Sequence, residues 1–224
     1  MPCFNEEKII ERSYRRIKKV LEDIELDYEI ILEEDGSTDN TGKIIKKIAE
    51  ADDHVKALSF PRKRMGIGWG YNKLFQAATG DFIVTTDADL AVNPNLIKKF
   101  IEECKNVDIV VASRYFSTNG YPLNRLIFSR MYNFFNRLMF GIKIKDTQVG
   151  FQILKRKILD DLHLEFNGFV TNLEILVKAK KRGYKIKEIP VKYSHRDNGA
   201  FSIIKNGPRT LFDTFLLRLK ISLD

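Results

Sequence analysis

The sequence predicts an α/β protein built on a doubly wound, mostly parallel sheet with helices on both faces. Two observations carry this: segments of helical period alternate with short apolar, β-branched runs through the first half of the chain, and glycines punctuate the joins. With 224 residues, the chain suits one domain with an extension and a sizeable core.

Residues 5 to 26 place Ile10, Tyr14, Ile17, Leu21 and Ile24 at helical spacing, with Asn5 positioned as a cap and acids in the first turn. "YEIILE" then reads as a strand, "DGSTDNT" as a loop, "GKIIKKIAEA" as a helix and "VKALSF" as a strand. After "RMGIGWGYNKLFQAATG" comes the run Phe82 to Val84, another helix in "NPNLIKKFIEEC", and the strand "VDIVVAS". Beyond about residue 115 the alternation breaks down. Residues 125 to 142 carry Ile127, Met131, Phe134 and Leu138 on one stripe beside Arg130 and Arg137. Such a stripe either faces the core or lies in a membrane interface. Residues 208 to 224 repeat the pattern, with Phe212, Phe215, Leu216 and Leu219 beside Arg209, Arg218 and Lys220. The domain reading is therefore 1–207 plus a C-terminal amphipathic helix over 208–224.

Lys and Arg number 38 against 30 Asp and Glu, a net charge of +8 that favours anionic partners. No helix-turn-helix, zinc or RNP-like signature accompanies the charge, so nucleic acid is not the expected partner. Cys3 and Cys104 have no metal-type spacing, which suits a reducing compartment. No run is long and apolar enough to span a membrane, and the expected location is cytoplasmic, peripheral at the membrane face.

Asp87 and Asp89 follow a strand and fall at the carboxyl edge of the sheet, where open α/β sheets bind ligands. Two carboxylates one residue apart share a space comfortably when a cation sits between them. The plainer alternatives are a helix cap at Asp89 or two solvated loop acids. Thr171 and Glu174 have capping-box spacing, which accounts for them without chemistry.

In order, "PCFNEE" (2–7), "DGSTDNT" (35–41), "MGIGWG" (65–70), "GDFIVTTDADL" (80–90), "ASRYF" (112–116) and "DTQVGFQILKR" (146–156) resemble glycosyltransferase family 2 with the GT-A fold. Within it they look like the polyprenyl-phosphate sugar synthases, with "DTQVGFQ" closest to the dolichyl-phosphate glucosyltransferase branch. The resemblance implies an inverting enzyme that moves a sugar from UDP-glucose or GDP-mannose to a polyprenyl (dolichyl) phosphate, with Mg²⁺ or Mn²⁺ on Asp87 and Asp89. Pro2, Asn5, Glu6, Asp35, Gly36, Ser37, Asp39, Gly66 and Asp87 match the nucleotide-sugar site. In this pattern Asp35 bonds the base, and Gly66 and Gly68 let backbone approach the nucleotide. Asp89, Arg114 and Arg125 match the catalytic positions, and Arg114, Arg125, Ser129, His195 and Ser202 the acceptor-phosphate side. Several of these residues have simpler uses: a turn at Asp35, a solvated first-turn charge at Arg125, a structural histidine at His195.

The chain departs from the family pattern at Arg64, Ile67, Ala91 and Asn172, the last where an acid is usual. Alternatives are a family 2 transferase with a glycan or other soluble acceptor, and a nucleotide-sugar-binding protein without turnover. The family also places an apolar strand before "P-x-x-N-E-E". Only Met1 stands there, so the expectation is a chain shortened at its amino end, with the centre of the sheet open.

Overall fold

A computed structural model describes residues 1–60, 64–115, 123–194 and 202–223. The helices are α1 (Ile10–Glu22), α2 (Thr41–Ala51), α3 (Ile67–Ala77), α4 (Ile97–Cys104), α5 (Leu123–Phe140), α6 (Arg156–Asp161), α7 (Thr171–Lys181) and α8 (Ile203–Leu223). The strands are β1 (Ile30–Asp35), β2 (Val55–Phe60), β3 (Phe82–Thr85), β4 (Ile109–Ser113), β5 (Gln152–Lys155) and β6 (Ile186–Pro190).

The α/β class and the early alternation are as the periodicity predicts. β1 and β2 pair in parallel from Ile30↔Val55 to Asp35↔Phe60. The other four strands order as β3-β5-β4-β6, with β4 and β6 parallel. β5 is the departure, running antiparallel to both β3 and β4. Its first residue, Gln152, sits opposite Thr85 and Val111, so β5 starts at the edge where its neighbours end. The chain leaves β4 at that edge, runs out along α5 and comes back to it before entering β5. Direction therefore follows from where the loop returns, which periodicity does not encode.

Residues 1 to 3 take a ladder position beside β1. Pro2 bridges Glu33 in parallel, the Cys3 N–H donates to the Glu33 carbonyl at 2.7 Å, and the Glu33 N–H donates to the Met1 carbonyl at 3.0 Å. Met1 and Cys3 are buried with Ile10, Leu32 and Ile45 in one apolar cluster. On the other flank, β4 is buried along its whole length and the Phe100 ring packs edge-on against Phe151 at 5.1 Å.

One local expectation fails, and one alternative left open is decided. The first helix begins at Ile10, because Asn5 adopts a left-handed backbone with φ +57° and uses its side chain elsewhere. The stripe on α5 does not face the core: Met131, Phe134 and Leu138 are 62%, 59% and 77% exposed, while Asn133 and Asn136 are buried. Those amides bond inside, although the Asn136 Oδ1 is buried without a partner among the described residues. The Asn133 Oδ1 accepts from the Thr147 N–H and Oγ1, both at 2.9 Å, and the Asn136 amide donates to Thr147 Oγ1 at 3.1 Å. α8 behaves likewise, burying Thr210, Asp213, Thr214 and Leu217 and exposing Leu211, Phe212, Phe215 and Leu219. The two helices touch through Tyr132 and Thr214 hydroxyls 2.7 Å apart and through the Phe135 and Phe215 rings. Among the described residues, no helix is long and apolar enough to cross a membrane.

Candidate active site at the carboxyl edge of the strands

β1, β3 and β4 end in Asp35, the Asp87–Asp89 loop and Arg114, which places these groups along one edge. Asp35 is buried, and its Oδ2 accepts the Met65 and Gly66 N–H groups at 2.6 and 2.9 Å. Its Oδ1 is buried with no partner among the described residues. A buried acceptor left unmatched costs about 1–3 kcal/mol, so it is a position that a bound donor group completes. Arg64 stands where an asparagine is usual. Its guanidinium lies 3.8 Å over the Phe4 ring and faces Asp35 and Glu33, which oppose the lowering of its pKa by burial.

The loop after Asp35 is clasped to the "P-x-x-N-E-E" loop. Asn5 Oδ1 accepts the Thr38 N–H at 2.8 Å, Ser37 Oγ accepts the Asn5 N–H at 3.2 Å, and Thr41 Oγ1 accepts the Glu6 N–H at 2.8 Å. Asp39 accepts from the Glu7 and Thr41 N–H groups. Burial pushes the Asp39 carboxyl upward, and these bonds, led by Thr41, hold it below its ordinary value. Gly36, at φ +73°, makes the turn after Asp35. Asp39 and Asn5 thus hold two loops together, a job the sequence does not reveal because the partners are more than 30 residues apart.

Asp87 lies at the centre of the edge. Burial first, and then the Asp89 carboxylate, push its carboxyl up to about 6, with Arg114 pulling the other way. Among the described residues its side chain receives no hydrogen bond. Asp89 Oδ1 accepts only the Ala91 N–H, at 3.0 Å, and the nearby 3-10 turn at Pro94–Leu96 is capped by Asn93 instead, so Asp89 is not the helix cap. Gly150, which the sequence did not single out, makes the space: a Cβ there would stand 2.4 Å from Asp87 Oδ1. Asn172 lies against the same segment. Its amide donates to the Val149 carbonyl at 3.5 Å, and its Oδ1 is buried without a partner among the described residues.

Arg114 is held by Asp146, whose carboxylate takes its N–H at 3.0 Å, its Nε at 2.8 Å and its Nη2 at 3.0 Å. Burial would raise the Asp146 carboxyl, but Arg114 holds it below the usual carboxylate range. Arg125 lies in the first turn of α5, partly exposed, and Ser129 one turn on accepts from the Asn133 amide at 3.5 Å. Ser202 caps α8: its N–H donates to Asn206 Oδ1 at 2.7 Å and its Oγ accepts the Lys205 N–H. His195 lies outside the described residues.

The glycines at α3 have a packing use of their own, and one expectation at α7 is corrected. A Cβ at Gly66 would meet the Asn167 carbonyl at 2.4 Å, and one at Gly68 would meet Thr171 Oγ1 and the Phe166 carbonyl at 2.1 and 2.3 Å. These glycines therefore admit the loop before α7, and Gly66 reaches the site through its N–H on Asp35. Thr171 and Glu174 form no capping box. Thr171 Oγ1 donates to the Phe166 and Gly168 carbonyls, while the buried Glu174 accepts the Glu165 and Phe166 N–H groups and pairs with Lys178 at 2.8 Å. A carboxylate with a nearby loop to hold is worth more there than at a helix end.

The profile of the family described as glycosyl transferase family 2 matches residues 1–163. The chain belongs to that family. It is 28% identical over 92% of its length to glycosyltransferase AglD of Haloferax volcanii, and 30% identical over 89% to a dolichol-phosphate mannosyltransferase of Pyrococcus furiosus. It spans 34% and 56% of these relatives' lengths. Glucosyl-3-phosphoglycerate synthase from Mycobacterium tuberculosis, solved with phosphoglyceric acid, superposes with a TM-score of 0.74 at 22% identity, covering 97% of this chain and 77% of that one. The same synthase solved with Mn²⁺ and UDP-glucose gives 0.72 at 22% identity, covering 97% and 76%. The GT-A architecture expected for family 2 is thus the one this chain adopts.

Whether the edge suits a divalent cation can be judged from its own donors. No cluster of three His, Cys, Asp or Glu side chains exists among the described residues. Two hard carboxylates one residue apart fit a cation that takes its remaining ligands from a diphosphate and water, as Mg²⁺ and Mn²⁺ readily do. The unbonded Asp87 carboxylate and the Gly150 cradle fit that use.

Proposed function

We propose that the protein is an inverting glycosyltransferase moving a sugar from a nucleoside diphosphate sugar of the UDP-glucose or GDP-mannose type to a polyprenyl (dolichyl) phosphate at the cytoplasmic face of a membrane. Asp35 offers its unmatched oxygen to the base. The two clasped loops hold the nucleotide side, and Asp87 and Asp89 would hold Mg²⁺ or Mn²⁺. When bound, the cation neutralises the departing diphosphate. Arg114, immobilised by Asp146, and Arg125 orient the acceptor phosphate, which is already anionic and needs placing more than deprotonating.

The observation that carries the lipid acceptor is the inverted amphipathicity of α5 and α8. Helices that bury asparagine, threonine and aspartate while presenting leucine, methionine and phenylalanine outward suit an apolar medium. α5 begins at Leu123 and carries Arg125 in its first turn, so the arginine assigned to the acceptor phosphate and the apolar face lie on one helix. The resemblance to a dolichol-phosphate mannosyltransferase supports the same acceptor.

The test incubates the purified chain with UDP-glucose or GDP-mannose and Mn²⁺, adding polyprenyl phosphate, 3-phosphoglycerate or no acceptor, and measures released nucleoside diphosphate. Release that depends on the lipid is expected, and it should fall about a hundredfold in Arg125→Ala. Release only with 3-phosphoglycerate would move the acceptor into solution; binding without release under every condition would leave a non-catalytic protein.

A further inference from the structure

A second lipid-facing feature lies far from the reaction edge. The C-terminal ends of α5, α7 and α8 converge around a cavity of about 430 Å³, lined by Met139, Phe140, Val177 and Ile221, with Lys180, Lys181 and Arg218 at its border. Asn172, in the first turn of α7, lies against the Val149–Gly150 segment at the reaction edge, and Lys181 lies nine residues further along, a helical rise of roughly 14 Å. The cavity therefore lies too far along α7 to hold the acceptor phosphate assigned to Arg114 and Arg125.

Its border is unusual in charge. Lys181 donates to the Ile221 carbonyl at 2.8 Å, Lys180 to the Gly141 carbonyl and Arg218 to Ser222 Oγ. Each acceptor is neutral, and among the described residues none of the three cations is paired with a carboxylate. Capping a helix-end carbonyl accounts for one N–H of each lysine. An ammonium has three, and a guanidinium five, so most of the donors at this border are uncommitted. Leu138 and Leu219, next in sequence to the lining residues Met139 and Arg218, are 77% and 62% exposed on the faces assigned above to the membrane.

We propose that this cleft binds one anionic phospholipid, with its phosphate on Lys181, Arg218 and Lys180 and an acyl chain along Met139, Phe140 and Ile221. The inference rests on the membrane reading of α5 and α8 and adds to it a discrete site that selects lipid charge and seats the far end of both helices. Charge complementarity and continuity with the apolar faces single out a lipid. A free phosphate would leave the apolar wall unused.

Calorimetry with dioctanoyl phosphatidylglycerol below its micellar concentration tests the site without any membrane. Saturable one-to-one binding is expected, with none for inorganic phosphate and much weaker binding for dioctanoyl phosphatidylcholine. Lys181→Gln with Arg218→Gln should weaken it about thirtyfold, taking roughly fivefold per cation near a lipid phosphate. Both side chains are exposed, so the variant should fold. Lys46→Gln with Lys47→Gln, also exposed but on α2, should leave binding unchanged. Absence of saturable binding to the parent chain, equal binding of inorganic phosphate, or equal losses in the two double variants would overturn the site. Vesicle sedimentation by the parent and by variants of the α5 stripe tests the membrane reading separately.

Discussion

Substituting Gly150 by alanine tests whether Asp87 works where the fold places it. The added Cβ would stand 2.4 Å from Oδ1 and 2.6 Å from Oδ2 of Asp87, where ordinary contact begins at 3.4 Å, so the two groups must separate by about 1 Å. Overpacking of this kind costs about 1–3 kcal/mol, or roughly 2–12 °C in Tm for a chain of this size. The functional loss should be larger, because an error of about 1 Å in a reacting constellation costs on the order of a hundredfold in rate. The assays are nucleoside diphosphate release and calorimetric binding of UDP with Mn²⁺, beside a melting curve. Gly80→Ala is the control, since its nearest heavy atom would lie at an unstrained 3.6 Å. On an Asp87→Ala background the clash partner is gone, and Gly150→Ala should add no further loss of metal-dependent binding. Parent-like binding and turnover in Gly150→Ala, or a full additional loss on the Asp87→Ala background, would refute the assignment of Asp87 to the reacting centre.

Glu33 is buried with an unmatched Oε1, and burial first, then Asp35, push its carboxyl up to about 7 from 4.5. A folded-state pKa above the unfolded one means the charged form costs stability as pH rises through that window. Glu33→Gln should therefore be near neutral at pH about 4 and stabilising by up to about 3 kcal/mol at pH about 8, read from denaturant midpoints; a pH-independent difference would exclude it. Asp146 has the opposite sign: its lowered pKa gives stability that is present above the ordinary carboxylate value and lost as pH falls below it. Asp146→Asn should cost about 3 kcal/mol or more at neutral pH by removing the buried carboxylate that pairs with Arg114, and unchanged thermal stability would show that the pair is idle. Met131→Ser with Phe134→Ser should lower sedimentation with anionic vesicles at least tenfold without lowering Tm, since each side chain gains about 1.5–3 kcal/mol by leaving water; unchanged sedimentation would return the α5 stripe to a partner surface.

The sequence by itself determined the α/β class, the order of the early elements and the edge on which Asp87 and Asp89 stand. These follow from local information: side-chain periodicity within a segment and the rule that loops after parallel strands gather on one edge. The tertiary structure alone decided the direction of β5, because that depends on where a long excursion through α5 returns. It also decided what the small and polar residues are for. Gly68 admits the Phe166–Thr171 turn, Gly150 clears Asp87, Asn5 and Asp39 clasp two loops, and Glu174 holds the loop before α7. α5 shows the difference most sharply. Its 3.6-residue period predicts a helix with two unlike faces, and that is what forms. Which face turns inward depends on Thr147 and Thr214, brought from elsewhere in the chain to receive the amides and hydroxyls of the polar side. Periodicity carries the contrast between the faces, and only the partners across the interface carry its sign.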